Sequence, residues 1–125
     1  MLSVIILASP STVQAFPPLP SSFYGTVRLN GGNLPEDTLI EAVINDQVFA
    51  STNTQIYESD VVYSMIIPGD DPSTEIVEGG VQGDTIYFRW DGLLGDQTAT
   101  WQSGTNTELD LMFTTEDQNP SSTAT

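Results

Sequence analysis

The sequence predicts an all-β fold, a seven-stranded antiparallel β-sandwich, and three observations support this prediction. Short runs of β-branched and aromatic residues are separated by Gly, Pro, Asn and Asp about every eight to twelve residues. Apolar and polar residues alternate within these runs, whereas the spacing of an amphipathic helix is almost absent. The chain has 125 residues, 38% of them hydrophobic, which suits one domain with a core of its own.

Seven predicted strands follow one another in a domain that spans residues 23–113. Their ranges are residues 23–30, 38–45, 47–52, 60–68, 85–90, 97–101 and 108–113. In the first strand, alternation places Phe23 and Val27 on the inward face and Tyr24 and Arg28 on the outward face. The inward positions of the later strands are mostly aliphatic or aromatic: Ile40, Ala42, Ile44, Val61, Tyr63, Met65, Ile67, Ile86, Phe88, Trp90, Leu109, Leu111 and Phe113. We expect these side chains to form the core between two sheets.

The segments between these strands are rich in residues that favour turns. Residues 30–37 read NGGNLPED, in which the two glycines can adopt a positive φ. Asn45 and Asp46 stand between two predicted strands and predict a tight hairpin.

Both ends of the chain differ from the predicted domain. Residues 2–8 form an apolar run too short for a membrane span, and Ala15 offers a small residue for cleavage, which predicts a signal peptide over residues 1–15. The basic residues that usually precede such a run are missing or truncated, and the alternative is a buried N-terminal strand. Residues 16–22 predict a Pro-rich lead-in, and the Ser/Thr-rich residues 114–125 predict a disordered tail or linker. We therefore expect a secreted or cell-surface protein.

The charge composition restricts the chemistry that this chain can perform. It has 17 acidic residues against 2 basic ones, a net charge of −15, and no His, Cys or Lys. Nucleophile pairs that need His, Schiff-base lysines and zinc sites built on His or Cys are thereby excluded. The negative charge opposes nucleic acids and anionic membrane surfaces. We therefore expect neither enzyme activity nor a nucleic-acid partner.

The densest group of carboxylates lies in residues 70–84 and has two alternative interpretations. Calcium takes oxygen ligands, and a segment that contains glycine and proline can bend around the ion. The expected ligands are Asp70, Asp71, Glu75, Glu78 and Asp84. Their spacing does not match an EF-hand, and the alternative is an acidic solvent-exposed loop. Calcium is the one cofactor that the sequence suggests.

Aromatic residues suggest a second kind of binding site. Tyr24, Tyr87 and Trp101 would form a platform for sugar rings if they faced solvent together, whereas the alternative places the tryptophans in the core. Arg28 and Arg89, the only cations, fall on outward faces. We expect them to pair across strands with Glu41 or a neighbouring acid.

Three segments resemble the carboxypeptidase regulatory-like, or prealbumin-like, β-sandwich of secreted prokaryotic surface proteins. They are YGTV at residues 24–27, TLIEA at residues 38–42 and YSMIIP at residues 63–68. In that family a G-x-V strand precedes a turn, and a strand that begins with Tyr and ends in Pro follows. The turn before this strand usually contains glycine, but here it reads ESDVV at residues 58–62. The resemblance implies a non-catalytic Ig-like or prealbumin-like module and transfers no functional residues.

Together these features predict a non-catalytic structural or adhesive module of a cell-surface or extracellular assembly. Its partners would be other protein modules or a polysaccharide. The exposed edges of a sandwich would also allow strand exchange between copies, through the Pro-rich arm or the Thr-rich tail. Two alternatives remain, a carbohydrate-binding module and a calcium-stabilised spacer domain.

Overall fold

The computed structural model describes residues 18–115, and all of its helix or strand elements are β-strands. The strands are β1 (Ser21–Leu29), β2 (Gly32–Asn33), β3 (Leu39–Ile44), β4 (Gln47–Asn53), β5 (Gln55–Tyr57), β6 (Asp60–Ile67), β7 (Thr85–Trp90), β8 (Leu93–Thr100), β9 (Asn106–Glu108) and β10 (Leu111–Phe113). No helix in this range could cross a membrane. The predicted signal peptide, residues 1–15, and residues 116–125 of the predicted tail lie outside the described range.

The strands form two sheets that pack against each other, which confirms the predicted all-β, sandwich-like fold. One sheet has the order β10-β1-β6-β5, with β2 and β9 also paired to β1, and the other has the order β4-β3-β7-β8. The second sheet is antiparallel throughout. In the first, β1 runs antiparallel to β6 and β2 but parallel to β9 and β10. The last two strands therefore depart from the antiparallel prediction, because the chain crosses from β8 to the other sheet before it pairs with β1.

Seven strands were predicted, and the structure has ten. Three of the ten, β2, β5 and β9, contain only two or three residues, too few for alternation to be recognised in the sequence. β8 begins at Leu93 rather than at residue 97, and β1 begins at Ser21, inside the predicted lead-in. Leu34, predicted in a turn, is a buried core residue.

Four hairpins are closed by two-residue turns of the same kind. In each turn both residues have a φ between 49° and 88°, the pattern of type I′ turns, whose twist matches that of the flanking strands. The turns are Asn30-Gly31, Asn45-Asp46, Glu58-Ser59 and Asp91-Gly92. The hairpin predicted at Asn45 and Asp46 is thus confirmed, and the turn before β6 forms without glycine.

The core lies between the two sheets and follows the predicted alternation. The predicted inward residues of β3 and β6 are buried: Ile40, Ala42, Ile44, Val61, Tyr63, Met65 and Ile67. At the centre, Phe23 of β1 meets Phe88 of β7 edge to face, with ring centroids 5.7 Å apart. Trp90 packs at the margin of the core against Phe113, at 6.0 Å.

Candidate functional site

The most elaborate irregular segment of residues 18–115 is the loop over residues 68–84, which joins β6 to β7. A parallel bridge between Gly69 and Gly80 holds its two arms together. The Asp70 N–H donates to the Gly80 carbonyl at 2.9 Å, and the Gly80 N–H donates to the Pro68 carbonyl at 2.9 Å. These bonds give the loop a defined backbone course despite its lack of regular strands.

Trp101 anchors this loop from beneath. Its indole Nε1–H donates to the Ile67 carbonyl at 3.1 Å, and its backbone N–H donates to the Asp84 carbonyl at 2.8 Å. A Cβ atom on Gly80 would lie 2.6 Å from the indole ring, and one on Gly69 would lie 2.8 Å from it. Glycine at both positions therefore permits the backbone to lie against the ring.

The three aromatic residues predicted to bind sugars are not brought together. Trp101 is 1% exposed, so its ring belongs to the core and offers no stacking surface. Tyr24 and Tyr87 are 42% and 41% exposed, which confirms their predicted outward direction. However, their neighbours Phe23 and Phe88 meet across the core, so the two tyrosines project from opposite sheets and away from each other. They do not form one platform.

The carboxylates at the start of the 68–84 loop accept hydrogen bonds from the loop itself. Asp70 Oδ1 accepts from the Glu78 N–H at 3.1 Å. Asp71 Oδ1 accepts from the Ser73 hydroxyl at 2.7 Å and from the Ser73 N–H at 2.9 Å. These two bonds hold the pKa of Asp71 below its ordinary value. Asp71 therefore forms an Asx turn with Pro72 and Ser73.

The remaining predicted calcium ligands are distributed along the same loop. Glu78 accepts from the Asp71 N–H at 3.0 Å and from the Thr74 hydroxyl at 2.7 Å, and Asp84 accepts from the Val81 N–H at 3.0 Å. Glu75 is exposed. Within residues 18–115, no three carboxylates converge to hold a metal ion. The carboxylates that accept these bonds stabilise the loop directly, and calcium binding stays a prediction.

A cleft of about 280 Å³ lies between this loop and the hairpin of β3 and β4. Its wall combines apolar side chains with two carboxylates; the lining residues are Ile44, Asn45, Gln47, Phe49, Asp70, Val77, Gly79, Val81 and Asp84. Val77 and Val81 are about half exposed at this cleft, and Val48, which follows the lining residue Gln47 in β4, is exposed as well. Sequence reasoning missed this group, because the two loop valines belong to no alternating run.

Both arginines of the chain form ion pairs, as the sequence predicted. Arg89 Nε lies 2.9 Å from Glu41 Oε1, and the two residues are ladder partners on β7 and β3. Arg28 Nη2 lies 3.1 Å from Asp60 Oδ1. Because all four side chains are roughly a quarter to a half exposed, each pair contributes less than about 1 kcal/mol.

Tyr63 is the most perturbed titratable group of the described residues. Burial, with a smaller contribution from the Asp110 carboxylate, raises the pKa of its hydroxyl well above the ordinary value. The hydroxyl donates to the Leu109 carbonyl at 2.7 Å. Like every other buried polar side-chain atom of residues 18–115, it has a hydrogen-bond partner. Its role is to join β6 to the segment between β9 and β10.

No protein-family model, curated protein or solved structure matches this chain. The resemblance to the prealbumin-like sandwich therefore rests on the sequence motifs alone.

Proposed function

We propose that the chain is a non-catalytic secreted module, structural or adhesive, of a cell-surface or extracellular assembly, and that it is a distant variant of the prealbumin-like sandwich. The observation that carries the proposal is the use of its polar groups. Within residues 18–115 the buried hydroxyl and indole groups hold loops to strands, as Tyr63 and Trp101 do. Groups used in this way support a fixed shape, and a fixed shape is what a module of an assembly needs.

The distribution of charge supports the same proposal. The net charge of −15 favours solubility, and the only two cations are occupied in surface ion pairs. The carbohydrate-binding alternative has less support, since Tyr24 and Tyr87 lie on opposite sides of the molecule. We therefore propose a protein partner rather than a polysaccharide.

The proposed export depends on the predicted signal peptide over residues 1–15, and a reporter fusion tests it. The full chain is fused to a phosphatase reporter that becomes active only after export. We expect activity from the native sequence and its loss when Ile5 and Ile6 are both replaced by Asp, because the charges interrupt the apolar run. Equal activity of the two fusions would contradict export through residues 1–15.

The structural or adhesive role is separated from the carbohydrate-binding alternative by affinity electrophoresis. Gels that contain soluble polysaccharides should not retard the full chain relative to gels without polysaccharide. Retardation that disappears in a Tyr24→Ala or Tyr87→Ala variant would support the alternative instead. Release of sugars from the gel matrix would contradict a non-catalytic role.

A further inference from the structure

We propose that β4 is a docking edge to which an extended segment of another protein adds as a strand. The segment would be uncharged and β-branched along most of its length, with a lysine or arginine at the end nearest the 68–84 loop. This inference deepens the proposed function and rests on it, because it assigns the surface and the partner chemistry of the module.

The first argument is that β4 has one unpaired side. Within residues 18–115 it pairs with β3 and with no strand beyond it. Its seven residues, Gln47–Asn53, include no charged residue and no proline, in a chain with 17 acidic side chains. Soluble β-proteins usually protect such an edge with charges, proline, a bulge or a covering segment. β4 has a bulge at Phe49, where its register with β3 shifts, but no charge and no proline. An uncharged edge without proline is suited to accept another strand.

The other edges of the two sheets are short or bridged. β5 and β10, the ends of the first sheet, have three residues each. β8, the far edge of the second sheet, is tied to the β10 region, where the Met112 N–H donates to Gln97 at 2.7 Å and the Thr114 hydroxyl donates to Asp96 at 2.8 Å. No such side-chain bridge closes β4 over residues 47–51. Beyond them the chain continues through Thr54 into β5, which pairs with β6, and Thr52 and Asn53 line a cleft together with Ser64 of β6. Among the described strands, the open part of the β4 edge is therefore residues 47–51.

The hydrogen-bond alternation identifies the backbone groups that a partner strand would use. The Thr54 N–H donates to the Thr38 carbonyl at 2.8 Å, so this pair is hydrogen-bonded. Pairing alternates along an antiparallel ladder, and Ser51 lies opposite Glu41, three positions from that bonded pair. The N–H and C=O groups of Ser51 therefore point away from β3, toward the open side of the edge. Those of Asn53 also point away from β3, but toward the side on which β6 lies.

The second argument is the cleft of about 280 Å³ beside the start of β4. Phe49, Val77 and Val81 give it apolar walls, and Asp70 and Asp84 add negative charge. A lysine or arginine side chain has an apolar stem and a cationic head, so it matches both parts of this wall. The cleft would thus receive the terminal basic side chain of the added strand.

The third argument is charge complementarity, which decides between a different protein and a second copy. The two basic side chains of the chain are held by Asp60 and Glu41. A second copy would bring a further net charge of −15 and no unpaired cation. A basic partner instead lowers the repulsion and associates faster.

The experiment uses the full chain and a labelled peptide of sequence Lys-Thr-Val-Thr-Val-Thr-Lys, with blocked ends, in fluorescence anisotropy at low salt. One control peptide has Glu in place of both lysines, and another is N-methylated at alternate backbone nitrogens. We expect saturable binding of the lysine peptide and binding weaker by roughly tenfold or more for each control, because each loses charge attraction or backbone hydrogen bonds.

Matched variants of the protein locate the binding site. Ser51→Pro removes an N–H that points away from β3 and should weaken binding roughly tenfold, whereas Ser51→Ala should leave it unchanged. Asp84→Asn keeps an acceptor for the Val81 N–H. It should weaken the binding of the lysine peptide but not that of the glutamate peptide. Thermal melting of each variant shows whether it is folded, and the N-methylated peptide tests the edge even where Ser51→Pro does not fold.

Three results would overturn the docking edge: absence of saturable binding, equal binding of the lysine and glutamate peptides, or unchanged binding to folded Ser51→Pro. A concentration-dependent dimer that Ser51→Pro abolishes would assign β4 to a second copy instead. The proposed function fails differently, through absence of export or through cleavage of the peptide, which mass spectrometry detects. If the chain is exported and does not cleave the peptide, but also does not bind it, the docking edge is contradicted and the proposed function is not.

Discussion

Gly25 lies where β1 changes partners, from β9 on one half of the strand to β10 on the other. A Cβ atom at this position would lie 2.5 Å from the Leu109 carbonyl oxygen and 2.7 Å from Asp110 Oδ1. The Leu109 N–H donates to the Tyr24 carbonyl at 2.7 Å, and Asp110 Oδ1 accepts from the Thr26 N–H at 2.9 Å. The crossing segment is thus hydrogen-bonded on both sides of the glycine and cannot retreat without loss of these bonds.

Gly25→Ala should therefore lower the free energy of unfolding by about 1–3 kcal/mol, the range for an overpacked site. Urea denaturation of the two proteins measures the difference. Gly32→Ala is the matched control, because its nearest contact, the Leu29 carbonyl oxygen, is 3.8 Å away, and we expect a change of at most about 1 kcal/mol. Equal effects of the two substitutions would show that the crossing segment moves freely.

Tyr63 gives stability a dependence on alkaline pH. Burial raises its folded-state pKa above the unfolded value of about 10, so its contribution is complete below pH ~10. At higher pH the unfolded state releases this proton first, and the free energy of unfolding falls. Urea midpoints at pH 9 and 11 should differ more for the native chain than for Tyr63→Phe. An equal pH effect in both proteins would show that other groups cause the loss.

At the scale of elements, the turn between β5 and β6 has a strained backbone, because neither of its two residues is Gly, Asn or Asp. Glu58 and Ser59 have φ values of 52° and 75°, in the left-handed region that L-residues with a side chain disfavour. The other hairpin turns contain Asn, Asp or Gly, which tolerate this region better. The glycine that the prealbumin-like pattern has at this turn is missing here, yet the turn still forms.

Ser59→Gly should raise the free energy of unfolding by about 1 kcal/mol, because glycine removes the left-handed penalty. Ser64→Gly, at an exposed position within β6, is the control and should lower it by roughly 0.5–1 kcal/mol. Thermal or urea unfolding distinguishes the two signs. A loss of stability in Ser59→Gly would mean that unfolded-state entropy outweighs the relief of strain.

Strands with one buried face can be predicted from the sequence. Segments that are held in place by residues distant in the sequence cannot. The alternation in β6 and β7 is visible because burial on a single side imposes a period of two residues. The 68–84 loop has no such period, since its shape depends on Trp101, which is distant in sequence. Its acidic residues suggested a ligand site, whereas most of them accept hydrogen bonds within the loop.

The same distinction applies to the candidate binding surfaces. Alternation predicts that Tyr24 and Tyr87 point outward, but it cannot assign them to different sheets. The predicted platform therefore combines residues that lie on opposite sides of the molecule. Likewise, the lack of charge in β4 can be read in the sequence, whereas its position at a sheet edge requires the strand order. At both surfaces the sequence predicts the type of side chain that is exposed, but it does not predict which residues lie next to each other.

At the scale of the whole molecule, the net charge of −15 should make stability depend on ionic strength. Like charges repel over distances that salt screens, about 30 Å at 0.01 M and 8 Å at 0.15 M. An increase of sodium chloride between about these concentrations should therefore raise the melting temperature by several degrees, of the order that about 1 kcal/mol produces in a domain of this size. A melting temperature that falls or stays constant would show that the acidic side chains are already separated enough not to repel.

If residues 70–84 bind calcium, calcium should raise the melting temperature by more than charge screening alone does. At matched ionic strength we expect calcium and magnesium chloride to raise the melting temperature equally, because no three carboxylates of residues 18–115 converge on a cation position. A saturable increase with calcium alone would instead support the calcium-stabilised spacer. Glu75→Gln then identifies the source, since Glu75 is exposed and its substitution leaves the bonds of Asp71 and Glu78 intact. Loss of the calcium-specific increase in this variant would assign the site to the loop, and its persistence would assign the effect elsewhere.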